Sequence, residues 1–401
     1  MDLDEPLSDL DCRALVVLAR ASHDPFLAPF FSNPRRLNHC FAVLPAGGRP
    51  RLGYFSPMER DEAAASGLEV LTPEALGIQA LHLERLPKGQ FLGRVLRRAL
   101  RLCQVRPGRL AVAGCYAAGE TLSAWEVLAE DGWQAVPGEE LVAQARRSKT
   151  EEQMASTRQA ADGVSAAFRL LAGLLARSTS REDRLETAGT PLTVGFLRQQ
   201  VARLFADHGL TQPEGGILAP GAEGAVPHSP GDDGRILRPA ESLVVDLFPK
   251  NHLFADCTRT FCVGSPPPAL REAHAKVEEA LLLAHARTRA GVLGHDLQRA
   301  VADLFEEAGY ATIEQDRSIT RGYVHGLGHG VGFELHELPS FRAEAGTEKG
   351  ELREGDVVTL EPGLYDPEAG WGVRLEDMVV VGKEGVENLT PLPYALDPRA
   401  W

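Results

Sequence analysis

Five side chains between residues 246 and 376 limit what this chain can fold into. They are Asp246 and Asp256 in VVDLFPKNHLFADCTRTF, His329 in HGLGHGVGFELHE, Glu361 in VVTLEPGLY and Glu376 in GVRLEDMVVV. Each lies in a short apolar or glycine-rich run that reads as an interior strand, where a carboxylate is costly to bury unless a cation compensates it. A fold that buries these runs must therefore gather the acids around positive charge. Four carboxylates nearly balance two divalent ions, so the set reads as the ligands of a two-metal hydrolytic centre completed by a shared hydroxide.

The local signals refine this. PKNH at 249–252 is a turn signal between LVVDLF and LFADCTRTF, and a hairpin centred near Asn251 sets Asp246 opposite Asp256. Taken alone, a turn-flanking acid and a solvent-facing acid are equal readings of the pair. His325 and His329 have helical chelate spacing, but glycines at 326, 328, 330 and 332 disfavour a helix and point to an extended backbone approached closely by a ligand or another strand. His336 lies seven residues beyond His329, on the opposite face of an extended chain unless a bulge or bend intervenes. Three of the chain's twelve histidines fall within these twelve residues, which favours a site over isolated core histidines. Glu361 ends a strand at Pro362–Gly363, where a side chain can face a cleft. Arg374, Glu376 and Asp377 read equally as an exposed charge cluster on an edge strand, and only the other four ligands favour metal for Glu376. Cys257 adjoins Asp256, and alternation points it to the other face.

At 401 residues the chain has room for two domains. Its composition, 44% hydrophobic and 24% charged, is that of a soluble globular protein. A net charge of -14 argues against a nucleic-acid partner, and no apolar stretch approaches the roughly 20 residues of a membrane span. Six cysteines without CxxC spacing read as reduced thiols. The acidic start MDLDEPLSDLD lacks a secretory leader's basic flank, so the expectation is a cytoplasmic protein. Residues 1–140 alternate strand-like and helix-like runs, an α/β domain, and the polar segment around Pro137 and Gly138 places the boundary near 140. Beyond it, Met154, Thr157, Ala161, Val164, Phe168, Leu171 and Leu175 mark one face of a long helix. A second helix follows at 192–208 and then strands. The order recurs with helices at 271–290 and 295–309, so 141–401 reads as a duplicated α+β body with a cleft between its halves.

The motifs DxTRTF, HGLGHGxG, LHE, TLEPGLY and GVRLED, in this order, resemble those of the pita-bread metallopeptidases, and within them the Xaa-Pro dipeptidase (prolidase) and aminopeptidase P group. The motif match spans about 225–380. The resemblance implies a pita-bread catalytic domain over 141–401 and a smaller creatinase-like N-terminal α/β domain over 1–140, in a homodimer. It implies that Asp246 binds one metal, Asp256 and Glu376 bridge both, and His329 and Glu361 complete the second. His336 and His228, the latter in AVPHSP, would contact the scissile amide or its tetrahedral intermediate. His325 would line the substrate pocket, and Arg374 would orient Glu376 or a neighbouring carboxylate. One departure stands out. The aspartates are ten positions apart, one fewer than the usual pattern, and LFPKN replaces a glycine-containing segment.

The implied reaction is hydrolysis of the bond before proline by a metal-bridging hydroxide. Glu361 is the candidate proton shuttle to the leaving imide nitrogen, while His336 and His228 stabilise the oxyanion or hold the substrate. Oxygen-rich ligation with one imidazole suits Mn²⁺ first, with Co²⁺ or Zn²⁺ as alternatives. A dipeptidase is favoured over an aminopeptidase acting on longer peptides because the chain carries no third domain. It needs a cation for the substrate carboxylate, and Arg321, Arg342 and Arg353 are the candidates. Metal-free amidinohydrolases and non-catalytic binding relatives of the fold are disfavoured by the full ligand set. Methionyl aminopeptidases normally lack the N-terminal domain and the PHSP context.

Overall fold

The structure, a computed structural model, describes residues 3–31, 36–342 and 350–401. The chain divides into two compact units, Met1–Ser148 and Lys149–Trp401. The polar segment at Pro137–Gly138 ends a strand and starts a short helix inside the first unit.

The first unit is built on strand β1 (Cys12–Ala21), which pairs antiparallel with β2 (Asn38–Pro45) and parallel with β5 (Arg109–Ala113). With β3 (Arg51–Tyr54), β4 (Glu69–Leu71) and β6 (Gln134–Pro137), the sheet order is β4-β3-β2-β1-β5-β6. The apolar run of β1 is buried on both faces because alternation divides it. Ala14, Val16 and Leu18 join one core with Leu92 and Leu96 of helix α1 (Lys88–Leu102) and Leu128 of α2 (Ala118–Ala129). Leu15, Val17 and Ala19 join a second with Leu7, Leu27 and Phe31.

The second unit opens on the helix that the spacing predicts. Helix α3 runs Glu151–Ala176 and starts in a capping box between Thr150 and Gln153. Its apolar face is buried from Thr157 to Leu175. Helix α4 (Val194–Asp207) leads into an antiparallel sheet of β7 (Gly216–Pro220), β8 (Leu243–Leu247) and β9 (Cys257–Phe261). The pattern repeats with α5 (Pro268–Arg287) and α6 (Gly294–Glu307). These precede strands β10 (His329–Gly330), β11 (Glu337–Ser340) and β12 (Val357–Leu360). A ribbon of β13 (Gly363–Asp366) and β14 (Trp371–Arg374) follows, then β15 (Asp377–Val381) and β16 (Val386–Asn388). The larger sheet has the order β11-β10-β12-β15-β16. One apolar core surrounds α3, α4 and the first sheet, and another surrounds α5, α6 and strands β12 to β15. Among the described residues no helix is long and apolar enough to cross a membrane.

Two local features bear on the sequence expectations. The β8–β9 hairpin turns at His252 rather than Asn251, so Asp246 faces Thr258 and not Asp256. Lys250 bridges to Phe254 at the neck, and Asn251 is drawn aside by hydrogen bonds with Ser156. The slip is two residues, which preserves parity, so both aspartates stay on one face. The glycine-rich run is extended and tightly approached, as its composition implies. A Cβ on Gly328 would lie 2.1 Å from the Thr359 carbonyl oxygen, and one on Gly330 would lie 2.1 Å from that of Leu338. Gly330→Ala should therefore cost about 1–3 kcal/mol of stability through overpacking. An unchanged urea midpoint would contradict this packing.

Candidate metal centre

The two halves of the second unit deliver the five proposed ligands to one place. Asp246 is within β8 and Asp256 immediately precedes β9. His329 opens β10, Glu361 follows the last residue of β12, and Glu376 lies between β14 and β15. Ligand atoms of Asp256, His329 and Glu376 lie within 4.8 Å of one another. The Asp246 carboxyl is near enough to that of Asp256 to raise its pKa, and Glu361 Oε1 is 3.3 Å from His329 Nε2. All five line a cavity of about 710 Å³, together with His228, His325, His336, Arg342 and Arg374. A register shift where β10 pairs with β11 bends the chain after His329. It brings His336 round, so that the two imidazole centroids are 4.2 Å apart.

Arg374, 3% exposed, organises one wall. Its Nη2 donates to Asp246 Oδ2 at 2.6 Å, its Nε to Thr258 Oγ1 at 3.1 Å, and its Nη1 to Tyr365 Oη at 2.9 Å. Its carboxylate partner is thus Asp246. Glu376 is held instead by the Thr258 hydroxyl, which donates to Oε2 at 2.7 Å. Nη1 also reaches the Pro227 carbonyl at 3.2 Å, tying down the segment before His228. Tyr365 accepts from Arg374, so its own proton is free for His325 Nε2 at 2.9 Å, while His325 Nδ1–H donates to the Gly326 carbonyl. Sequence reasoning passed over Tyr365. The available signal was its alternation with Gly363, which sits opposite Arg374 in the β13–β14 ribbon. A Cβ on Gly363 would lie 2.7 Å from Tyr365 Oη.

Arg374, Glu376 and Asp377 are all buried, so the edge-strand charge cluster is excluded. Alternation sends Asp377 away from the cavity, where its carboxylate accepts from Arg259 at 2.6 Å, Tyr394 at 2.6 Å and Asn388 at 2.7 Å. Cys257 shares that rear side, its thiol donating to the Glu376 carbonyl at 3.1 Å. Burial raises its pKa.

Several observations test whether these residues fit a metal. Among the described residues Asp246 Oδ1 and Asp256 Oδ1 are buried without a hydrogen-bond partner, although such atoms are normally satisfied. His329 Nδ1 lies 3.0 Å from the Gly330 carbonyl oxygen, which can only accept, so the proton sits on Nδ1. Burial, and then His336, hold this imidazole down to about 3, so it is neutral. Its Nε2 lone pair therefore faces carboxylate oxygens at 3.3 and 3.8 Å. Burial pushes Asp256 well above the usual carboxylate range, with Glu376, Asp246 and Glu361 adding to it. Burial and then Glu361 and Asp246 do the same to Glu376, against the opposing pull of Arg374. Glu361 rises to about 7 through burial, despite Arg374. A lone pair and convergent acids with orphaned oxygens form a donor set suited to hard or borderline divalent cations.

Residues 155–383, more than half of the chain, match the model of metallopeptidase family M24. The chain is similar to the prolidase structure from Pyrococcus horikoshii OT3, with 22% identity, a TM-score of 0.74 and 98% of each chain covered. It is also similar to the X-Pro aminopeptidase structure from Thermotoga maritima, with 22% identity, a TM-score of 0.71 and 98% of each chain covered. These likenesses give the pita-bread fold. In sequence it is 38% identical to the Xaa-Pro dipeptidase of Pyrococcus furiosus over 175 residues, 43% of this chain and 46% of the relative. The chain thus spans about half the length of the curated relatives it matches. Convergent carboxylates, a neutral imidazole and this family match imply a divalent metal cofactor, and the chain belongs to metallopeptidase family M24.

Proposed function

We propose that this protein hydrolyses the peptide bond preceding proline, with dipeptides as its first substrates. The carrying observation is the convergence of Asp246, Asp256, His329, Glu361 and Glu376 on one cavity. We infer two divalent ions, Mn²⁺ before Co²⁺ or Zn²⁺, because the donors are oxygen-rich and the nearby thiol of Cys257 is turned away. Asp246 would hold one ion, His329 and Glu361 the other, and Asp256 and Glu376 both. Such a pair, when bound, supplies activation of water near neutral pH and polarisation of the scissile carbonyl. Among the described residues none of the six cysteines forms a disulfide, which supports a reducing cytoplasmic setting. The homodimer is taken from the resemblance alone.

The remaining chemistry belongs to side chains. Glu361 sits at the cavity wall with 17% of its side chain exposed. It takes a proton from the attacking water and returns it to the leaving imide nitrogen, which has no hydrogen of its own. His336 and His228, both exposed on the cavity, face the scissile amide and the developing oxyanion. His325 is restrained by Tyr365 and Gly326 and presents a neutral ring to the substrate, held down to about 3 by burial and by Arg374. Arg374 fixes Asp246 and, through Pro227, the approach of His228.

Geometry favours Arg342 for the substrate carboxylate. Arg321 is engaged with Asp366 at 2.9 Å and borders a different cavity, and Arg353 borders no described cavity. Arg342 lines the central cavity beside Gly326, and its guanidinium forms no ion pair among the described residues. Losing a charge-assisted hydrogen bond worth about 1.5–3 kcal/mol should raise KM for an Xaa-Pro dipeptide about 10- to 100-fold in Arg342→Ala. An Xaa-Pro tripeptide should be cleaved poorly by the native protein. Comparable tripeptide rates would favour an Xaa-Pro aminopeptidase instead.

Glu361→Gln should abolish turnover in metal-loaded protein, and near-native activity would contradict the proton-shuttle role. The same variant reads the electrostatics of the metal-free protein. Glu361 has a folded pKa of about 7 against an ordinary 4.5, so folding favours its protonated form, and its contribution is lost as pH rises through that window. Metal-free Glu361→Gln should therefore gain thermal stability relative to metal-free native protein between pH 4.5 and about 7. Saturating Mn²⁺ should reverse the difference. A difference independent of pH would count against the buried acid cluster.

A further inference from the structure

We propose that the buried ion pair between Lys149 and Glu337 is the positioning device for His336, an inference that rests on the substrate-facing role given to that histidine. Lys149 Nζ lies 2.6 Å from Glu337 Oε1, and each side chain is 1% exposed. Glu337 Oε2 accepts from the backbone N–H of Phe333 at 3.1 Å and of Glu334 at 3.4 Å. A single carboxylate thus closes the turn that leads from β10 to β11, and a cation from the first residue of the second unit neutralises it. The fit is tight, since a Cβ on Gly332 would lie 2.6 Å from Glu337 Oε1 and 2.9 Å from Lys149 Cε.

His336 is the residue immediately before Glu337. Among the described residues its ring nitrogens have no hydrogen-bond partner, and its ring contact is with His329 at 4.2 Å between centroids. Among the described residues no side-chain hydrogen bond fixes the imidazole, so the backbone path through 333–337 sets where it stands. That path also receives Lys250 Nζ on the Phe333 carbonyl at 2.8 Å and Phe254 N–H on the Gly332 carbonyl at 2.7 Å. Glu337 is the anchor at the histidine's own end. A buried ion pair is weak as a source of net stability, and two apolar residues of similar volume can replace one with little loss. The ion pair can therefore be replaced without unfolding the chain, at the cost of the acceptor for the Phe333 and Glu334 N–H groups.

The test is the double variant Lys149→Met/Glu337→Leu, compared with His336→Ala and with the triple combination. Melting temperature, metal content, kcat and KM on an Xaa-Pro dipeptide, and a crystal structure are the readouts. The double variant should keep a cooperative melting transition, lowered because the Phe333 and Glu334 N–H groups lose their acceptor, and should keep its metal content, yet lose about 10- to 100-fold in kcat, approaching the loss from removing one oxyanion donor. Adding His336→Ala should then cost little more, because both changes act through one group. Native kcat in the double variant, or an additive further loss in the triple variant, overturns the proposal. If His336→Ala alone leaves kcat unchanged, the catalytic role of His336 fails. The crystal structure then decides the positioning role: a displaced imidazole supports it, and an undisplaced one overturns it. Should the double variant not fold, Glu337→Gln takes its place in the same cycle, with the same non-additive result expected.

Discussion

Four carboxylates and an imidazole lone pair converge in the second unit, and the guanidinium of Arg374 is paired with one of the four. Arg374 meets only Asp246 directly, and Thr258 supplies Glu376 with a hydroxyl rather than a charge. Asp256 and Glu361 are left facing each other's fields and the unprotonated Nε2 of His329. In a low-dielectric cavity such an arrangement is stable only if the acids take up protons or a multivalent cation enters. The raised carboxylates and lowered histidine of the metal-free chain express the first outcome. The bare lone pairs prepare for the second.

The duplicated architecture assembles this charge. Each half ends in buried strands, and Asp256, His329, Glu361 and Glu376 stand at strand ends while Asp246 lies within one. Ordered backbone holds them from behind. The Arg259–Asp377 pair, with no exposure on either side chain, joins β9 to β15 on the face opposite the cavity. It thereby fixes the two segments that carry Asp256 and Glu376. Lys149 and Glu337 do the equivalent for the turn of His336. Arg259 and Lys149 place positive charge behind the acid cluster, while Arg374 and Arg342 line the cavity with it.

Much of this was legible in the sequence because burial and charge conflict so openly in the ligand runs. The face of α3 from Met154 to Leu175 needed only periodicity, and the glycines flanking His329 announced the close backbone approach now measured at Gly328 and Gly330. The hairpin register was misplaced because PKNH offers several turn centres. A side-chain bond from Asn251 to Ser156, 95 residues away, helps decide between them. Tyr365 and Lys149 escaped for the same reason. Their partners, Arg374, His325 and Glu337, lie in other strands or far along the chain, and neither residue stands in an unusual local context. Charge clusters can be read from one strand, but hydrogen-bond networks require knowing which strands meet.

The central claim is that this acid cluster is a two-cation centre. Metal content of the purified protein, stripped and then equilibrated with Mn²⁺, tests it most directly, with Asp256→Asn/Glu376→Gln measured alongside. Two ions per chain in the native protein, lost in the variant along with Xaa-Pro cleavage, is the result expected from the geometry. A native protein that takes up no divalent ion, or a variant that retains both, would contradict it.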